Sequence, residues 1–131
     1  MLSYLFLGAD DLDASGRFYE AVLYPFGYEK TVYGKKLIFS LPGVPDRHNG
    51  PGAIYIAQPY DGKPATAGNG TMPALRAQTR AQVDEVFAAG LVAGGTDDGK
   101  PSVREEYTAH FYVAYLRDPI GTKVAIFCNY E

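Results

Sequence analysis

The stretch Ala109–Asn129 constrains this chain more than any other. Two almost wholly apolar or aromatic runs, Phe111–Leu116 and Lys123–Cys128, flank Asp118-Pro119-Ile120-Gly121. The proline of that tetrad presets φ and its glycine tolerates positive φ, so the stretch reads as a β-hairpin. With so few polar positions in either arm, both faces of the hairpin should be covered. One should pack on a helix while the other lines something else.

The remaining elements follow from local signals. Leu2–Leu7 reads as a buried strand closed by Gly8. A helix capped by Asp10 or Asp11 comes next, with Ser15, Phe18, Tyr19, Val22, Leu23 and Phe26 on one face and Pro25 and Gly27 at its end. Tyr28–Tyr33 and Lys36–Leu41 form a hairpin around Gly34, Pro42–Pro51 a loop, and Gly52–Gln58 a fourth strand. Pro59–Gly70 has linker composition. Thr71–Ala77 is a strand that Pro73 marks as an edge. Thr79 and Gln82 open a second helix as a capping box, with Val83, Val86 and Phe87 on its apolar face and Gly90 or Gly94 at its end. Gly95–Lys100 reads as a turn-rich approach and Val103–Tyr107 as a strand.

The halves share one plan, strand, helix, then three strands. A shift of about 68 residues carries Tyr4 onto Met72, Phe18 onto Val86, Tyr19 onto Phe87 and Gly27 onto Gly95. The expected fold is α+β: two βαβββ units, 1–60 and 71–131, joined by a linker at 61–70 into one domain. Their sheets would form a curved, open half-barrel with both helices outside.

Several classes of function are disfavoured by composition. The net charge is −3 with both signs interspersed, so neither nucleic acid nor an anionic membrane is an expected partner. No apolar run approaches the roughly 18 residues of a membrane span, and the N-terminus lacks a basic, leader-like segment. The lone Cys128 cannot form an internal disulfide, which fits a reducing cytoplasm, the expected location. It reads as a small buried hydrophobe. His48, in a polar loop, and His110, just ahead of a strand, read as surface residues, with His110 the better placed for a cavity mouth. Gly68-Asn69-Gly70-Thr71 lacks the lysine of a phosphate loop and precedes a strand where such a loop needs a helix.

The plan, with Leu7-Gly8, Phe18-Tyr19, Phe26-Gly27-Tyr28, Gly68-Asn69-Gly70-Thr71, Ala93-Gly94-Gly95-Thr96 and Arg117-Asp118-Pro119-x-Gly121, resembles the glyoxalase/bleomycin-resistance/dioxygenase (vicinal oxygen chelate) superfamily, and in particular its small lactoylglutathione-lyase-like members. Metal-dependent members of that family place ligands on the first and fourth strand of each unit. Carried over, the resemblance implies Tyr4, Tyr55, Met72 and Ala125 at those positions. Two phenols, a thioether and a methyl group are poor donors for a hard divalent cation. The expectation is therefore no cofactor and no metal, with a small aromatic or amphipathic molecule held in a metal-free concave pocket. Strand alternation adds neighbours of the same parity and the family pattern before Asp-Pro implies Tyr115, giving Tyr4, Phe6, Tyr55, Met72, Arg76, Tyr115 and Phe127 as candidate ligand-binding residues. No residue earns a catalytic role. The alternative is a lyase, isomerase or dioxygenase using a relocated metal or a tyrosine as acid and base. Relatives commonly pair units across chains, so the resemblance implies a homodimer.

Overall fold

A computed structural model describes residues 1–130; Glu131, the last residue of the second expected unit, lies outside them. The chain runs β1 (Tyr4–Gly8), α1 (Leu12–Leu23), β2 (Glu29–Tyr33), β3 (Lys36–Ser40), β4 (Ala53–Ala57), β5 (Ala74–Arg76), α2 (Arg80–Val92), β6 (Thr96–Val103), β7 (Tyr112–Arg117) and β8 (Lys123–Cys128). The strands make two four-stranded sheets with the same order, β1-β4-β3-β2 and β5-β8-β7-β6. In each, the first strand lies parallel to the fourth and the others are antiparallel. The two βαβββ units are therefore repeated in topology although their sequences barely match.

Both helices begin where their caps predict. Asp11 accepts from Ala14 N at 3.0 Å and Thr79 from Gln82 N at 3.1 Å. The side chain of Gln82 reaches back one residue further than a capping box requires, to Gln78 N at 2.9 Å. α1 stops at Leu23, before Phe26, because Pro25 diverts the chain into a single 3-10 turn over Tyr24–Phe26. Phe26 still packs against the core from that turn.

Gly90 does not end α2. It lies buried inside the helix, where an added Cβ would come within 2.5 Å of Leu116 Cδ1 and 3.0 Å of Val22 Cγ1. The missing side chain lets α2 sit directly against α1 and β7. One apolar core spans both units, joining Phe18, Tyr19, Val22 and Leu23 of α1 to Val83, Val86 and Phe87 of α2. It is floored by Phe39, Ile54 and Ile56 of one sheet and Leu116, Val124 and Ile126 of the other. Cys128 is buried in it.

The segment from 95 to 107 departs from expectation. Gly95–Lys100 is not a turn, and Val103–Tyr107 is not a strand: β6 runs from Thr96 to Val103, and the chain turns after it. β6 is the outer edge of its sheet, with register shifts between Asp97 and Gly99 and between Gly99 and Ser102. Those irregularities accommodate Gly99 and Pro101, and an edge strand has a face and a side left to solvent, so its polar sequence hides it. The last hairpin is as expected, save that Phe111 precedes β7. No helix among the described residues is long and apolar enough to cross a membrane.

Candidate functional site

Along β1, Leu7 points into the core while Tyr4 and Phe6 stand 47% and 45% exposed on the other face. β4 runs beside it in parallel register, Phe6 opposite Tyr55, so the Tyr55 ring lies between its neighbours, with centroids 5.0 Å from Tyr4 and 6.5 Å from Phe6. Next to this trio, between the free edges of β1 and β5, opens a cavity of about 450 Å³. Its walls include Tyr4, Phe6, Met72, Ala74 and Tyr28. The Tyr28 hydroxyl donates to Gly52 O at 2.7 Å, and burial raises its pKa, so it presents a neutral phenol.

The repeat fixes how the two units correspond. Ala9 N donates to Ala57 O at 2.9 Å and Ala77 N to Phe127 O at 2.7 Å, closing the β1–β4 and β5–β8 ladders in the same way. Counted back from those matched ends, Tyr4 takes the place of Met72 and Tyr55 that of Ala125. The four positions implied by the resemblance are thus equivalent in pairs. The donors they offer are two phenols, one thioether and, at Ala125, none.

On the second sheet the same face carries a different arrangement. Phe127 has the Arg76 guanidinium 5.0 Å from its centroid and the Phe111 ring at 5.5 Å. Tyr107, in the turn after β6, meets Phe111 edge-on at 5.7 Å. Tyr115 lies beneath Lys123 Nζ at 4.6 Å and the Arg104 guanidinium at 5.8 Å. Burial, followed by the nearby Tyr107, raises the Tyr115 pKa; Arg104 opposes the shift and Glu106 adds to it. Ala125 and Val113 form the buried floor between these rings.

The seven residues anticipated from sequence therefore do not close on one point. Tyr4, Phe6 and Met72 line the cavity between the sheets, with Tyr55 packed against the first two beside it; Arg76 and Phe127 form one group nearby and Tyr115 another. Tyr28 and Tyr107 were not among the anticipated site residues. The first was read as part of the Phe26-Gly27-Tyr28 motif and the start of a strand, and the second was assigned to a strand that ends four residues earlier. His48 and His110 are exposed and lie in loops. Gly68-Asn69-Gly70-Thr71 is a turn closed by Thr71 N to Gly68 O at 2.9 Å, leading into β5.

A paired βαβββ fold with a cavity between its sheets defines the class. No family model and no curated protein matches the sequence. Solved structures do. A glyoxalase/bleomycin resistance protein from Albidiferax ferrireducens is 33% identical, with 96% of each chain covered and a TM-score of 0.81. A lactoylglutathione lyase from Agrobacterium tumefaciens is 23% identical over 98% of this chain and 92% of its own, with a TM-score of 0.61. The fosfomycin resistance protein FosX from Mesorhizobium loti, 14% identical over 98% and 91%, has a TM-score of 0.67. The chain belongs to the glyoxalase/bleomycin-resistance/dioxygenase, or vicinal oxygen chelate, superfamily.

Proposed function

We propose that this chain is a metal-free member of the superfamily that binds a flat aromatic or amphipathic small molecule between its two sheets. The observation that carries this reading is the pair of half-exposed rings, Tyr4 and Phe6, ranged about Tyr55 at the edge of a cavity of about 450 Å³. Exposed aromatic rings beside an apolar hollow gain from covering by a planar ligand, and the neighbouring phenols can orient it.

The chemistry of the donor set argues against the usual metal. A divalent ion that polarises a carbonyl needs oxygen or imidazole donors, and Met72 and Ala125 supply neither. The enzyme alternative requires either a relocated ligand cluster or an acidified phenol. Among the described residues no group of three or more His, Cys, Asp and Glu side chains could hold a metal ion. Tyr115, the partly buried phenol of the second sheet, is shifted away from ionisation. Leu2, Tyr4, Phe6 and Met72, all exposed along the same seam, support a homodimer as the assembly.

Titration with naphthylmethanol, followed by calorimetry and by the shift in melting temperature, tests the reading together with elemental analysis of the purified protein. Saturable binding that Tyr55→Leu weakens, in protein free of stoichiometric metal, is expected. Stoichiometric bound metal, or no binding of any planar aromatic, overturns it.

A further inference from the structure

Among the described residues, lysine and arginine side chains pair with carboxylates as Lys30 with Glu20, Arg47 with Glu29, Lys100 with Asp97, and both Arg117 and Lys123 with Asp98. Among the described residues Arg76 has no such partner and no side-chain hydrogen bond; its guanidinium lies over the Phe127 ring. It stands two residues along β5 from Ala74, which lines the cavity between the sheets, and it lines an adjoining hollow that shares Tyr28, Ala74 and Leu75 with that cavity. The other cations on this face are less available. Lys123 lies 3.3 Å from Asp98 Oδ2, and Arg104 lies over the Tyr115 ring at 5.8 Å, next in the chain to Glu105 and Glu106.

Resting on the ligand-binding reading above, we infer that the pocket selects planar aromatic compounds bearing a carboxylate, with Arg76 as the counter-ion. A guanidinium stacked on a ring has its orientation set by the stacking while the N–H donors around its rim stay open, so it can hold a carboxylate through two parallel hydrogen bonds. The arrangement also opposes the overall charge. In a protein of net charge −3 an uncompensated guanidinium beside an apolar hollow is a local attraction for anions.

The test compares naphthoate with naphthylmethanol, which present the same ring system with and without charge. By calorimetry naphthoate should bind about tenfold more tightly, the scale of one charge-assisted contact. Raising the salt concentration should erode that advantage. Arg76→Gln should bring the ratio of the two affinities close to unity. Lys35→Gln, which removes the same charge from the β2–β3 turn, should leave the ratio at its original value. Equal affinities in the unaltered protein, or a ratio that Arg76→Gln does not change, overturn the inference while the ligand-binding reading stands. Failure of both probes to bind removes the reading and the inference together. Arg76 is exposed, and an unchanged melting temperature in Arg76→Gln confirms that folding is not what the ratio reports.

Discussion

Tyr19 on α1 donates its phenol hydrogen to Asp118 Oδ2 across 2.6 Å, joining residues 99 apart in sequence. The other carboxylate oxygen, Oδ1, accepts from Ile120 N at 2.9 Å, Gly121 N at 3.0 Å and Thr122 N at 2.9 Å. Asp118 therefore holds the β7–β8 turn with one oxygen and α1 with the other. Gly121, at φ 103°, supplies the backbone conformation the turn needs. The aspartate of the Arg117-Asp118-Pro119-x-Gly121 motif is thus a structural tie between the two units.

Removing the phenol leaves Asp118 Oδ2 without its donor in a site only 3% exposed. Tyr19→Phe should lower unfolding stability by about 1–3 kcal/mol, the desolvation cost of an unpaired buried acceptor. Urea denaturation monitored by circular dichroism checks this. Unchanged stability would mean that the 2.6 Å contact contributes nothing in solution.

The same pair gives a pH dependence. Burial, the Asp118 charge and the hydrogen bond to it, in that order, hold the Tyr19 phenol well above its ordinary 10.0. The unfolded chain therefore releases this proton first, and above that value it binds fewer protons than the native state. Tyr19's contribution is complete below pH 10.0 and is lost as pH rises beyond it. Melting curves between neutral and strongly alkaline pH should fall more gently for Tyr19→Phe than for the unaltered protein.

Gly90→Ala inserts a methyl group where Leu116 Cδ1 would lie 2.5 Å away. The better helix propensity of alanine offers about 1 kcal/mol, and overpacking of a tight core costs about 1–3 kcal/mol. A net loss is expected, read as a lower denaturation midpoint. A stabilised Gly90→Ala would show that α1 and α2 can separate freely.

A metal site should be installable. The double substitution Met72→His with Ala125→Glu places an imidazole just ahead of β5 and a carboxylate on the adjoining strand β8. Because Ala125 is 2% exposed, the new carboxylate should destabilise the apo protein. Added nickel or zinc should recover part of that loss, which thermal melting detects. The unaltered protein should show no such response.

Chain pattern alone announced most of the architecture. The caps Asp11 and Thr79, the periodic faces of both helices and the Asp118–Gly121 turn rest on contacts within a few residues, so they are readable locally. The repeat of roles between the halves was readable for the same reason. β6 was not, because an edge strand need not be apolar, and neither was the role of Gly90, whose neighbours Val22 and Leu116 come from distant segments.

Sequence by itself determined which residues exist to do chemistry: at the positions Tyr4, Tyr55, Met72 and Ala125 it placed side chains with little affinity for a hard cation, and it placed Arg76 two residues after Ala74. Tertiary structure alone decided their company. That Tyr55 lies between Tyr4 and Phe6, that Arg76 rests on Phe127, and that Tyr19 reaches Asp118 all depend on parallel pairing and helix docking between segments far apart in the chain. Such contacts form only when the shared core closes, and no local preference encodes them.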